Sequence, residues 1–190
     1  MFSINKFFFI ILIFIVSCQP LEILEPINFD NSNLDKISIN AKEVIINNKY
    51  IPIFSDINIE DQIKTPPVSK LTDWLKENLE YFGDQNILIV NILEASLIKK
   101  EIKNQDKKKY SESTIFLYEI HFLVDYEIID DSGYLLANAT VESSRSTTSQ
   151  KYISLNESEI IINELLFNSL VDFTEETELT IKKYMGEYSN

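Results

Sequence analysis

One histidine and one cysteine are the residues in this 190-residue chain from which reactive chemistry could be built. His121 follows Glu119 by two positions in "YEIHFLVDYEI". On an extended strand, i and i+2 share a face, so this pair has the spacing of a carboxylate–imidazole acid–base couple. The rest of a catalytic constellation is missing: no serine or cysteine sits in a nucleophile elbow, and no glycine-rich turn opens a helix. The expectation is a surface or interface histidine, no enzyme and no cofactor. The common zinc sites need several converging His or Cys ligands, more than one of each can supply. Asp130-Asp131-Ser132-Gly133 looks superficially like a calcium-loop fragment but lacks the rest of the ligand series, and reads as a hairpin turn. Arg145, in "SSRSTTS", can grip a carboxylate or phosphate with two hydrogen bonds. With Ser146 and Thr147 it forms a candidate partner-contact strip, weighed against a plain solvated strand end.

Cys18 closes a different kind of motif. Ten apolar residues run from Phe7 to Val16 after a start that carries one charge, Lys6. That is the layout of a secretory signal, and it is shorter than the roughly 20 residues a membrane-spanning helix needs. Residues 15–18, Ile-Val-Ser-Cys, resemble the lipobox of bacterial lipoproteins, in which a small residue precedes the cysteine that is acylated and becomes the first mature residue. The resemblance implies cleavage before Cys18 and its modification with diacylglycerol and palmitate. The competing reading is an uncleaved signal anchor with an incidental cysteine. One acyl chain holds a protein only marginally at a membrane, whereas a tri-acylated cysteine anchors it stably. Gln19 stands where Asp would retain an enterobacterial lipoprotein in the inner membrane, so by resemblance the address is the outer membrane, with the domain facing the periplasm. An acylated Cys18 also leaves no thiol for chemistry.

The charge balance narrows the partners. The chain has 30 acids and 17 bases; without Lys6 the part from Cys18 onward has 16 bases and a net charge of −14. An acidic chain of this kind lacks the electrostatic footprint for nucleic acid and is repelled by anionic headgroups. Membrane attachment is then expected through the lipid. The length suits one domain able to bury roughly 70% of its unfolded surface.

The elements follow from periodicity. Residues 1–17 read as the lipoprotein signal peptide, 18–40 as a polar, Asn-rich tether, and 41–190 as a single domain. Residues 43–47 form a short strand candidate, followed by a Pro- and Asp-containing stretch. "TPPVSKLTDWLKENLEYFG" carries apolar residues at helical spacing from Val68 through Trp74 to Phe82, with Thr65 as a candidate N-cap and Gly83 as the terminator. Trp74 is read as core. Residues 86–98 read as a buried strand, and the basic segment 99–113 as a loop or frayed extension. "TIFLYEIHFLVDYEIID" alternates with period two: Phe116, Tyr118, Ile120, Phe122, Val124, Tyr126 and Ile128 on one side, mostly charged residues on the other. Gly133 turns the chain into a partner strand from Tyr134 to about Ser146, with a small core set of Leu135, Ala137, Ala139 and Val141. Ser154-Leu155-Asn156-Glu157 is a capping box opening a long helix to about Met185, with a bend or fray expected between Thr174 and Thr180. The sum is an α+β two-layer sandwich of order β-α-β-β-β-α, an antiparallel or mixed sheet with two helices on one face.

In this order of elements, "LTDWLKENLEYFG", "YEIHFLVDYEI", "DDSGYLLANATVESSRSTT" and the closing acidic helix, the chain resembles the small envelope lipoproteins of the lipopolysaccharide-assembly (LptE-like) type, and is similar to auxiliary lipoproteins of ABC-type envelope transport. The resemblance implies a non-catalytic accessory that braces or plugs an envelope partner, a β-barrel or an ABC transport component. Known lipopolysaccharide-binding members use basic residues near a strand tip; here the only arginine is Arg145. The alternative is a lipid or small-ligand module with a pocket between sheet and helices, lined by Phe116, Tyr118, Phe122 and Tyr126.

Overall fold

A computed structural model describes Leu34 and residues 36–105 and 112–189. The fold is α+β. Six strands and two helices follow the order β1 (Ile37–Asn40), β2 (Glu43–Asn48), α1 (Pro67–Asn78), β3 (Leu79–Phe82), β4 (Ile87–Lys103), β5 (Thr114–Ile129), β6 (Leu135–Gln150) and α2 (Leu155–Tyr184). The main sheet is mixed, in the order β2-β4-β5-β6: β2 runs parallel to β4, and the other neighbours are antiparallel. A second, two-stranded sheet pairs β1 in parallel with β3.

The alternation in β5 decides the layers. Tyr118, Ile120, Phe122, Val124, Tyr126 and Ile128 are all buried, while the intervening residues are half-exposed. Both helices cover that buried face. Trp74 of α1 meets Phe173 of α2 edge-on at 5.5 Å, and Phe173 meets Phe122 of the sheet at 5.7 Å. Such aromatic contacts add to area burial by preferring edge-to-face geometry. The other sheet face carries no helix among the described residues.

α2 is continuous through the threonine-rich stretch where a bend was expected. Thr174 and Thr177 donate their hydroxyls to the Leu170 and Phe173 carbonyls four residues back, at 2.7 and 2.6 Å, as Ser169 does to Leu165. So satisfied, these side chains pack as small core residues instead of competing for the helix backbone. The capping box is formed: the Glu157 N–H donates to Ser154 Oγ at 3.1 Å, and the Ser154 N–H donates to Glu157 Oε2 at 2.8 Å. These backbone and hydroxyl hydrogen bonds hold the Glu157 carboxyl below its ordinary pKa. Ala137 is half-buried and Ala139 and Val141 are buried; their small volume lets α2 lie on β6. Leu135 of that set is exposed, because the register shifts at Ile128/Ile129 beside the hairpin. The turn itself forms as read, with Gly133 at φ +81 and Asp130 Oδ1 accepting the Ser132 and Tyr134 N–H groups at 2.8 Å each.

Two short strands lie where periodicity gave something else. Helix α1 ends at Asn78, and Leu79–Phe82 extend as β3; Pro66, not Thr65, is the N-cap residue. Only Leu79 of β3 is buried, so the apparent helical match of Phe82 comes from a side chain facing solvent. Gly83 has φ +126, a backbone conformation that residues with a Cβ rarely adopt, so it turns the chain between β3 and β4 instead of capping a helix. β1 falls inside the stretch read as tether; Ile37 and Ile39 point inward at period two. β4 is longer than read, to Lys103, and bulges between Ile92 and Glu94. The basic loop centred on Lys107-Lys108-Lys109 lies outside the described residues.

Candidate functional site

The histidine sits on the uncovered sheet face. Glu119, its expected partner, instead pairs with Lys100 at 3.3 Å. Positions i and i+2 are about 6.6 Å apart along a strand, so cross-strand neighbours reach the ring more easily. Glu94 of β4 lies 3.1 Å from Nδ1, and Glu142 of β6 lies 3.0 Å from Nε2. Both carboxylates stand level with Leu123 in the ladder, one on each side. Two carboxylate acceptors are matched only when both ring nitrogens carry protons. Partial burial pulls the His121 pKa down, but hydrogen bonds and charge from Glu142 and Glu94 outweigh it, so the net shift is upward. The cluster is a charge clamp across three strands. Its carboxylates take opposite sides of the ring and do not converge on one point. Among the described residues no cluster of three or more His, Cys, Asp and Glu side chains can hold a metal ion.

The strip around Arg145 divides between faces. Arg145 and Thr147 stand opposite Ile120 and Tyr118 on the helix side, and Ser146 opposite Glu119 on the open side. Arg145 Nη1 donates to both carboxylate oxygens of Asp172 on α2, at 2.8 and 2.7 Å. Its charge already has a carboxylate partner within the fold. Cys18 lies outside the described residues.

Of the aromatic residues read as pocket lining, Phe122 and Tyr126 are buried in the core and Phe116 is half-buried, while Tyr118, itself buried, lines a cleft beside the start of α2. Two clefts open on either side of segment 59–64. The larger, about 540 Å³, lies between that segment and the start of α2. Ile59, Ile63 and Ile162 give it apolar walls, and Lys64, Lys99, Asp61 and Glu159 its charges. Lys99 also lies over the Phe116 ring at 4.2 Å.

The smaller cleft, about 290 Å³, lies at the β2–β4 edge. β2 ends opposite Ile92, where the bulge interrupts β4. The chain then leaves the edge and returns farther along it. The Lys49 N–H donates to the Ile92 carbonyl at 2.9 Å; beyond the gap, the Lys99 N–H donates to Ile57 at 2.7 Å, and the Ile59 N–H to Leu97 at 3.1 Å. Glu60, only 5% exposed, completes the anchor. Its Oε1 accepts from Tyr50 OH at 2.8 Å, the Leu97 N–H at 3.0 Å and Asn58 Nδ2 at 3.3 Å. Burial, together with the nearby Glu60, pushes the Tyr50 hydroxyl well above its ordinary pKa. Between the anchors the loop holds its apolar side chains outward: Ile51 is 82%, Ile53 67% and Phe54 86% exposed. Sequence reasoning passed over this loop as a Pro- and Asp-containing stretch. The signal available was "YIPIF", four large apolar residues around a proline with no period to bury them.

No protein-family model matches the chain, and no curated protein matches it. Similar solved structures include a minor lipoprotein from Acinetobacter baumannii, at 14% identity and TM-score 0.41, covering 80% of this chain and 98% of that one. A protein described as a neuraminyllactose-binding hemagglutinin homolog from Helicobacter pylori aligns at 14% identity and TM-score 0.36, over 86% of this chain and 93% of its own. Rare lipoprotein B from Shewanella oneidensis aligns at 10% identity and TM-score 0.37, over 73% and 94%. Among the described residues, no helix is long and apolar enough to cross a membrane.

Proposed function

We propose that the chain is a bacterial envelope lipoprotein, held at the outer membrane through acylated Cys18, whose domain acts as a non-catalytic accessory docking on an envelope partner. The observation that carries the reading is the apolar run Phe7–Val16 ending in Ser17-Cys18. The partner class is a β-barrel or an ABC-type transport component, in the manner of LptE-like assembly factors. Support for docking over catalysis comes from His121, whose two ring nitrogens are both engaged by glutamates within the fold. The test of the anchor is Cys18→Ser, expected to abolish labelling by a palmitate analogue and to release the protein from membranes. Persistent labelling would overturn it. For docking, mild crosslinking in cells followed by affinity purification should enrich an envelope protein; recovery of the domain alone would count against it.

The larger cleft favours a second reading, a lipid-binding module. Apolar walls flanked by two lysines and two carboxylates suit a lipid with a zwitterionic head. Native mass spectrometry of protein from its own membrane would then record a bound lipid, and a uniformly ligand-free spectrum would sink it.

A further inference from the structure

We propose that the smaller cleft, with residues 52–55 of the loop as its wall, is the surface on which a basic, apolar segment of a partner protein docks; this deepens the docking function above and rests on it. Three observations converge. First, the apolar side chains of the loop are held outward and not merely frayed. The backbone is hydrogen-bonded to β4 at Lys49 before the loop and at Ile57 and Ile59 after it, and the Glu60 carboxylate locks the return. Ile51, Ile53 and Phe54 nonetheless face solvent. A cluster of large exposed apolar groups on an anchored loop marks an interaction surface. Second, the loop borders a concavity, with Pro66 and Val68 from the start of α1 and Ala95 of β4 on its other sides, so side chains can be inserted and not merely laid flat.

Third, among the described residues the charged side chains lining the groove are acidic. Glu60 and Asp61 both line it. Among the described residues the hydrogen-bond donors to Glu60 are a phenol, an amide side chain and a backbone N–H, all neutral. A lysine or arginine entering beside an apolar side chain would meet acidic lining and cover the loop. The net charge of −13 adds long-range attraction for a basic partner. The same charge repels anionic lipid headgroups, which favours a protein segment over the bilayer surface as occupant.

The test uses the full chain in zwitterionic phosphatidylcholine nanodiscs and a fluorescent peptide alternating lysine with phenylalanine, against the same peptide with glutamate for lysine. The expected result is saturable binding of the lysine peptide alone. Phe54→Ser, which leaves the charge unchanged at a solvent-facing position, should weaken it about tenfold or more. Leu155→Ser, an equally exposed apolar site at the other cleft, should change it less than about twofold. Equal binding by wild type and Phe54→Ser would overturn the proposal, since net charge alone would then explain the affinity. So would quenching of a Phe54→Trp reporter by brominated acyl chains, which would place the loop in the bilayer. Either result leaves the crosslinking test of envelope docking standing by itself, so failure of the groove is separable from failure of the function.

Discussion

The two edges of the main sheet are finished in opposite ways. The β6 edge is a 16-residue strand rich in Ser and Thr, overlain by α2 and fastened by Arg145 to Asp172. The opposite edge has a six-residue strand, β2, then a bulge, a loop with apolar side chains turned outward, and two clefts. Exposed edges are normally blunted with polar and charged residues, bulges or covering segments. The β6 edge follows that practice in its polar side chains. The β2–β4 edge covers its backbone, since the loop caps β4 at Ile57 and Ile59, yet leaves side chains uncovered. Covering the backbone while exposing apolar groups guards against strand addition and still offers a surface for side-chain recognition.

The largest expected effect breaks what both edges share. Phe173→Ala removes the ring that joins α1, α2 and Phe122, and should cost about 3–5 kcal/mol in urea unfolding, destabilising both edges together. Glu60→Ala should act on one edge alone. Losing the buried acceptor of the Leu97 N–H should cost roughly 1–3 kcal/mol, and hydrogen exchange should accelerate at Leu97 and Lys99 while the β5–β6 amides stay protected. Uniform acceleration would mean that the edges are one cooperative unit.

His121 tests the centre of the sheet between them. Its folded pKa is raised, so it stabilises fully below the unfolded value of about 6.5, and the contribution is lost as pH rises through the folded pKa. The thermal unfolding midpoint should therefore fall between mildly acidic and alkaline pH, and His121→Gln should flatten that slope at a cost of about 1 kcal/mol on the acidic side. Asp172→Ala should cost less than about 1 kcal/mol, because the ion pair is partly solvated, and less still at high salt. Phe54→Ser should move stability by no more than about 0.5 kcal/mol in the same urea assay. Against Phe173→Ala, this is the sharpest form of the contrast: two phenylalanines, one structural and one held in reserve.

The sequence displayed its regular parts well. The alternation of β5 named the core face residue by residue, and the capping box placed the start of α2 at the right position. What misled was pattern without burial. Phe82 matched a helical stripe while facing solvent, and Leu135 matched a strand face while lying past a register shift. The partners of His121 and Arg145 are set by cross-strand register and by helix placement, so Glu94, Glu142 and Asp172 have no local signature. The anchored loop was hidden for a related reason: its ties are backbone bonds to a strand some 40 residues away, which no periodicity records.

The bulge at Leu93 has a consequence for how the chain can vary. On a strand, each residue added or removed exchanges inside for outside along everything downstream. Ile92 pairs with Val124 and Glu94 with Leu123, so Leu93 is the residue the ladder does not count. Deleting it would leave Ala95 and Leu97 inward and Glu94 and Ser96 outward. Deleting a counted residue of β4 would invert one half of the strand. Leu93 is thus the place on β4 where length and frame are uncoupled, a spare letter that descendants of this chain could drop without garbling the message on either side.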